Sequence, residues 1–89
     1  MSAEPRSLPP VLRPMRPLDV TPVAAIERAA YEFPWTPGIF RDCLLAGYPS
    51  LVLEQAGRVA GYGIMSIAAG EAHLLNLALA TDARGQGFG

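Results

Sequence analysis

The sequence is poor in the features that mark several classes of protein. It has one cysteine, Cys43, so no disulfide can form within the chain, which fits a reducing cytosol. Charged residues make up 17% of the chain, and the basic ones are scattered rather than gathered into the patch typical of nucleic-acid binding. The longest nearly uncharged stretch, residues 59–70, is shorter than the roughly 20 apolar residues of a membrane-spanning helix. The N-terminus lacks the basic start and apolar centre of a signal peptide. We therefore expect a cytoplasmic protein that binds neither nucleic acid nor membrane.

Apolar residues, by contrast, are abundant for so short a chain. Hydrophobic residues make up 51% of the 89 residues, the mean hydropathy is +0.24 and the net charge is −1. These values argue against a disordered chain and indicate one globular domain. Five of the nine prolines fall within the first 17 residues, so we interpret residues 1–10 as a disordered, proline-rich leader and 11–89 as the domain. We interpret the apolar excess as surface meant to be covered by residues beyond this sequence.

A short strand and a helix are predicted first. Residues 11–16 can form an edge strand, where proline is tolerated. Asp19 and Thr21 are both good N-cap residues, and apolar residues then recur at spacings of three and four up to residue 30. This pattern predicts a helix of about three turns, with Glu27 and Arg28 on its exposed side.

A second helix and three strands complete the pattern. Thr36 is a good N-cap and Gly47 a typical helix end, so a helix is predicted between them. The apolar period then changes to two, which predicts strands at residues 50–55, 59–68 and 72–80, joined by two tight turns. Alternate glycines in the second of these strands indicate that something packs close to the sheet there. The last strand is apolar on both faces and is expected to be covered on both.

Three glycines alternate with other residues in the sequence ARGQGFG, residues 83–89. Glycine runs of this kind let main-chain N–H groups approach a phosphate. Two common phosphate loops fit the context poorly. The dinucleotide fingerprint follows the first strand of a parallel unit, whereas the strands here form hairpins, and the nucleotide P-loop would need residues past position 89. The stretch from Arg84 to Gly89 does fit a third pattern, Q/R-x-x-G-x-G/A.

This third pattern resembles the pyrophosphate loop of the GCN5-related N-acetyltransferase family, which follows the fourth strand of that fold. Here it follows LLNLALATDA, which is similar to the family's fourth strand and its short acidic connection. Upstream, AAIERAAYEFPWTPGIF resembles the first two helices of the bacterial ribosomal-protein-alanine acetyltransferases, and the corner at residues 33–35 is typical of that subgroup. The resemblance covers residues 12–89. It implies the N-terminal part of the family's α/β fold, namely a strand, two helices, three strands and the glycine loop, in a chain expected to be truncated.

The resemblance also implies a function and a set of site residues. The reaction would transfer acetyl from the co-substrate acetyl-CoA, without a metal, to the N-terminal amine of a protein, such as an alanine of a small-subunit ribosomal protein. The pantetheine arm would lie along the main chain of Leu77, Ala78 and Leu79. The pyrophosphate would lie on the loop formed by Arg84, Gly85, Gln86, Gly87, Phe88 and Gly89. The subgroup's base and acid lie beyond this loop, so the chain alone is expected to be inactive. Two alternatives stay open, an acetyltransferase of a small-molecule amine and a non-catalytic fragment.

Several other residues have a structural interpretation beside a functional one. Glu71 and His73 could act as a base, but an exposed pair near a turn is the interpretation we favour. Asn76, within an apolar strand, is expected to be a buried amide whose hydrogen bonds are satisfied. Cys43 is expected in the core. Trp35 is expected to serve packing, although its region borders the acceptor-peptide groove in the family that the sequence resembles.

Overall fold

A computed structural model describes residues 9–80 of the chain. They form a four-stranded antiparallel sheet with two α-helices packed on one face, and the strands lie side by side in chain order. The predicted helices and strands are confirmed, with ends shifted by at most two residues. The elements are β1 (Val11–Pro14), a 3₁₀ turn (Pro17–Asp19), α1 (Val20–Ala30), α2 (Pro37–Ala46), β2 (Ser50–Gln55), β3 (Arg58–Ala68) and β4 (Glu71–Leu79).

Helix α2 begins and ends where its sequence signals predict. The Thr36 hydroxyl accepts a hydrogen bond from the Ile39 N–H at 3.3 Å, which satisfies one of the donors left open at a helix start. Gly47 takes the left-handed conformation, φ 83°, and its N–H donates to the Leu44 carbonyl at 3.1 Å. A residue with a Cβ is strained in this conformation, so glycine is the residue that ends the helix here.

The core lies between the two helices and one face of the sheet. Phe40 of α2 is fully buried, and its ring centroid lies 5.3 Å from that of Trp35 and 5.5 Å from that of Tyr62 on β3. The Phe40 and Tyr62 rings meet edge to face, an arrangement that aromatic pairs prefer. Cys43 is also buried, as predicted. The other apolar residues of the core are Met15, Val20, Val23, Ala24, Val52, Ile64 and Ala78.

Asp19 has a different role from the predicted one. It stands at the N-cap position of α1, but its carboxylate makes no hydrogen bond to that helix. Its oxygens instead accept from the Arg13 guanidinium, at 2.8 and 3.0 Å, and from the Arg16 N–H at 2.7 Å. The Arg13 hydrogen bond holds the pKa of Asp19 below its ordinary value. This pair therefore stabilises the fold above the ordinary aspartate pKa, and loses that effect as the pH falls through the lowered pKa.

One face of the sheet is apolar and open among the described residues. Leu12 of β1 is 66% exposed and Leu77 of β4 is 52% exposed. Within residues 9–80, the expectation that β4 is covered on both faces is therefore not met, since the two helices cover one face only. The open face contains a depression of about 590 Å³, lined by Pro10, Leu12, Leu51, Leu53, Tyr62, Gly63, Met65, Leu74, Leu77 and Leu79.

The two glycines of β3 differ in how closely β4 approaches them. A Cβ added at Gly61 would lie 2.6 Å from Leu79 Cδ2 and 3.0 Å from the Ala78 carbonyl oxygen. At Gly63 the nearest atom, Leu77 Cδ1, would be 3.5 Å away, an ordinary contact. The close packing predicted from alternate glycines is thus confirmed at Gly61.

We expect Gly61→Ala to lower the free energy of unfolding by about 1–3 kcal/mol, because a main-chain carbonyl must move to admit the methyl group. The matched change Gly63→Ala should cost less than about 0.5 kcal/mol. Urea denaturation followed by circular dichroism measures both. Equal costs for the two variants would contradict the close approach at Gly61.

Candidate functional site

A buried carboxylate lies at the centre of the molecule, on α1. Glu27 is 2% exposed, so the prediction that it lies on the exposed side of the helix was wrong. It follows Val20, Val23 and Ala24 at helical spacing, which places it on the face that packs against the sheet. A carboxylate that is buried this completely needs hydrogen bonds to compensate for the hydration it has lost.

Three donors from separate parts of the chain supply these hydrogen bonds. The Trp35 main-chain N–H donates to Glu27 Oε2 at 2.9 Å. Asn76 Nδ2 of β4 donates to Oε1 at 2.8 Å, and the Tyr62 hydroxyl of β3 donates to the same oxygen. Burial, and then the hydrogen bond with Glu27, raise the pKa of Tyr62 far above its ordinary value, so its hydroxyl keeps its proton and remains a donor.

The hydrogen-bonded cluster continues to the main chain of Leu77. Asn76 Oδ1 accepts from the Leu77 N–H at 2.9 Å, and the Tyr31 hydroxyl donates to the Leu77 carbonyl. The predicted satisfaction of the Asn76 amide is confirmed, although its side chain is half-buried rather than fully buried. The register of β3 and β4 shifts beside Asn76, so that Leu75 is an extra residue in β4. Such a bulge bends a strand and redirects its side chains.

Of the predicted cofactor-binding residues, the structure describes Leu77, Ala78 and Leu79, which lie at the end of β4. β4 is an edge strand of the described sheet. The Ala80 N–H bonds to the Ala60 carbonyl at 2.8 Å, so alternate residues direct their main-chain groups toward β3, and Leu77 and Leu79 direct theirs outward. Ala78 is buried and packs into the core. The loop residues Arg84, Gly85, Gln86, Gly87, Phe88 and Gly89 lie outside the described residues.

A groove of about 300 Å³ runs between the corner after α1 and the bulge of β4. Its polar groups include two carboxylates, the buried one of Glu27 and that of Glu32, and its apolar wall is largely aromatic. Carboxylates and aromatic faces both attract ammonium groups. The lining residues are Glu27, Tyr31, Glu32, Phe33, Trp35, Leu75 and Asn76.

Comparisons with known proteins give relatives that cover most of this chain. No family model matches it. It is 37% identical over 82 residues to a candidate ribosomal protein bS18-alanine N-acetyltransferase of Bacillus subtilis (strain 168), which is 88% of this chain and 53% of that protein. It is 34% identical over 64 residues to the Escherichia coli (strain K12) ribosomal protein bS18-alanine N-acetyltransferase, which is 72% of this chain and 43% of that protein. The chain thus spans about half the length of the curated relatives it matches.

Solved structures of the same kind share its fold. The crystal structure of the ribosomal-protein-S18-alanine N-acetyltransferase from Escherichia coli matches 89% of this chain and 51% of its own, with a TM-score of 0.80 and 28% identity. These similarities support membership of the GCN5-related N-acetyltransferase family. Ard1 from Thermoplasma volcanium matches 88% of this chain and 54% of its own, with a TM-score of 0.78 and 23% identity, and supports the acetyltransferase fold alone. The family resemblance and the α/β fold inferred from the sequence are confirmed.

The other residues singled out in the sequence lie away from the groove or at its wall. Glu71 and His73 form an exposed pair near the β3–β4 turn, with 3.3 Å between Oε1 and Nε2, as favoured above. Their side chains are 73% and 63% exposed. Trp35 both packs on Phe40 and lines the groove, so the structure gives it a packing contact and a place at the site.

Metal and membrane features can be assessed for the part of the chain that the structure describes. Within residues 9–80, no three or more His, Cys, Asp or Glu side chains are grouped so as to hold a metal ion. No helix in that same range has the length and apolar character needed to cross a membrane.

The sequence did carry a signal for the cluster that was missed. Glu27 repeats the spacing of the buried residues of α1, and Tyr31 lies four positions later, beside the corner. A charged residue at a core-facing helix position is buried when donors surround it, and those donors come from residues 35, 62 and 76. Sequence spacing alone does not bring these residues together, so it does not predict that Glu27 is buried.

Proposed function

We propose that the complete protein transfers an acetyl group in the cytoplasm from acetyl-CoA to the N-terminal amine of a protein. An N-terminal alanine of a small-subunit ribosomal protein is the proposed acceptor. The observation that carries this proposal is the 34–37% identity to two proteins named for that reaction, across most of this chain. The open edge of β4 beside an acidic, aromatic groove supports it.

Acetyl-CoA binding is proposed along the outer edge of β4. Main-chain groups on a strand edge can pair with an extended amide chain as a further strand would, and pantetheine is such a chain. Leu77 and Leu79 direct their main-chain groups to that edge. The N–H and the carbonyl of Leu77 are held by Asn76 Oδ1 and the Tyr31 hydroxyl, which pantetheine would displace. The glycine loop from Arg84 to Gly89 would hold the pyrophosphate, because its N–H groups can approach phosphate oxygens without interference from a Cβ.

The acceptor amine is proposed to enter through the groove beside the corner. An N-terminal amine is largely an ammonium ion at neutral pH, and the carboxylates of Glu27 and Glu32 favour its approach. After losing a proton to a base, the amine attacks the thioester carbonyl. A C–N bond forms, the C–S bond breaks, and the thiolate takes a proton to leave as CoA. We assign the base and the acid to no residue among 9–80.

The test is an acetylation assay of the complete gene product. Purified protein is incubated with acetyl-CoA and a peptide that begins with alanine, and thiol release and peptide mass are followed. We expect equal amounts of CoA and N-acetylated peptide. A peptide of the same sequence with a blocked N-terminus is the control and should give neither. Turnover of small-molecule amines but not of the peptide would favour the alternative acceptor, and binding without turnover of any amine would favour a non-catalytic role.

We expect Gly87→Val to weaken acetyl-CoA binding by at least about tenfold, because a branched side chain would stand where the main chain must approach the phosphates. Isothermal titration calorimetry of the complete gene product measures the dissociation constant. Gly38→Val is the control, because it makes the same change on α2, away from the glycine-loop sequence. A Cβ added at Gly38 would meet one atom, Thr36 Oγ1, at an ordinary contact distance of 3.7 Å. An unchanged dissociation constant for Gly87→Val would remove the loop from the proposed site.

A further inference from the structure

The carboxylate of Glu27 connects four parts of the described fold. It belongs to α1 and accepts from the corner at Trp35, from β3 at Tyr62 and from β4 at Asn76. Its side chain is among the largest that are fully buried. A buried charge that is satisfied by several donors is costly to rearrange, because each donor would lose its acceptor inside the fold. The corner and the bulge of β4, which form the two walls of the groove, are therefore held to one another through this single group.

The charge of Glu27 also determines how the Asn76 amide is oriented. A carboxylate accepts hydrogen bonds and has no proton to give, so Asn76 must turn its NH₂ group toward Glu27. The amide oxygen then points the other way and accepts from the Leu77 N–H at 2.9 Å. Leu77 is one of the residues whose main-chain groups face the outer edge of β4, and its carbonyl is already held by the Tyr31 hydroxyl. The buried charge of Glu27 thus fixes the orientation of the Asn76 amide, and with it the hydrogen bond that the Leu77 N–H donates on the edge of β4.

We propose that Glu27 is a positioning residue for the acceptor site. It sets the spacing between the corner and the bulge of β4, and through Asn76 it places the Leu77 main chain at the edge where acetyl-CoA and the amine meet. The expected effect on peptide acetylation rests on the proposed function, whereas the connection from Glu27 through Asn76 to Leu77 does not. Glu27 acts through Trp35, Asn76 and Leu77.

Glutamine at position 27 separates charge from shape. It has the size of glutamate but replaces one oxygen by an NH₂ group, which cannot accept a hydrogen bond. In the first orientation the glutamine NH₂ group faces the Trp35 N–H, so that two donors meet. In the second it faces the Tyr62 hydroxyl and the Asn76 NH₂ group, and the Asn76 amide must turn over to offer its oxygen. In the first orientation the corner at Trp35 moves away from β4. In the second the Asn76 oxygen no longer accepts from the Leu77 N–H.

Two measurements on the complete gene product test the proposal. The first is hydrogen exchange of the Leu77 amide by NMR, which requires no activity. We expect Glu27→Gln and Asn76→Ala each to speed this exchange by at least about tenfold, and the double variant to add little, since both changes break one connection. The second is steady-state kinetics, where Glu27→Gln should raise the KM for the alanine peptide by at least about tenfold. The dissociation constant of acetyl-CoA should change by a smaller factor than this KM, because the loop that would hold its pyrophosphate is unaltered.

The matched control is Glu71→Gln, which changes an exposed carboxylate on β4 and should alter neither measurement. If Glu27→Gln lowers the melting temperature but leaves Leu77 exchange and the peptide KM unchanged, Glu27 serves stability alone and the proposal is overturned. If the unmodified protein acetylates no peptide, the proposed function fails. The Leu77 exchange of Glu27→Gln then still decides whether Glu27 positions the edge of β4.

Discussion

Replacing Phe40 by alanine is expected to lower the free energy of unfolding by about 3–5 kcal/mol. The Phe40 ring is fully buried between Trp35 and Tyr62, and it is the largest fully buried side chain in the described core. Its removal loses the transfer free energy of the ring and leaves a cavity that the two neighbouring aromatic rings cannot close without moving. Urea denaturation of the complete gene product, followed by tryptophan fluorescence, measures the loss and also reports on Trp35 beside it.

Phe33→Ala is the matched control, because the same side chain is removed from a residue that is 86% exposed. Its cost should stay below about 0.5 kcal/mol. Similar losses for the two variants would mean that the aromatic core is not centred on Phe40. Phe33 lines the groove, so its variant serves here as a control for stability and not for acceptor binding.

Glu27→Ala is expected to lower the free energy of unfolding by about 2–4 kcal/mol. The change leaves the Trp35 N–H, the Tyr62 hydroxyl and the Asn76 amide without their acceptor. Unpaired buried donors lose their full hydration without compensation, which is why removal of one member of a satisfied polar cluster is costly. Thermal unfolding followed by calorimetry measures the loss.

The control for this second change is Glu71→Ala, which removes a carboxylate that is 73% exposed and should cost less than about 0.5 kcal/mol. Tyr62→Phe tests the cluster from the other side. It removes one donor but leaves the Glu27 carboxylate two others, so its cost should be smaller than that of Glu27→Ala. A Glu27→Ala variant as stable as the unmodified protein would show that the carboxylate contributes no net stability, which has been found for other buried charges.

The two polar sites of the fold stabilise it in different ways. Arg13, Asp19 and Glu54 join β1, β2 and the start of α1 by ion pairs, with 2.6 Å between Arg13 Nε and Glu54 Oε1. Glu27 is satisfied by neutral donors and borders the groove. Low pH weakens the ion pair of Arg13 with Asp19 by protonating Asp19. The cluster around Glu27 ties the groove walls together.

Local structure could be predicted from the sequence because its causes are local. Thr36 and Gly47 lie within one turn of the helix ends that they determine, and cap geometry depends on neighbours a few residues away. Strand β2 was placed at its observed bounds because a period of two is visible within six residues. The family was also predictable from the corner at residues 33–35 and the glycine loop, since each is a short, contiguous stretch.

Contacts between distant residues decided the rest. Glu27 and Asn76 are 49 positions apart and Tyr31 and Leu77 are 46 apart, so neither hydrogen bond has a signature in sequence spacing. By itself, the sequence determined the order of the helices and strands, the caps of α2, the buried Cys43 and the resemblance to the acetyltransferase family. The burial of Glu27, the ion pair that takes Asp19 from its expected cap, and the main-chain groups of Leu77 held at the sheet edge were decided by tertiary structure. The physical reason is that a polar group is buried or exposed according to the donors that packing brings to it, and packing joins residues irrespective of their distance along the chain.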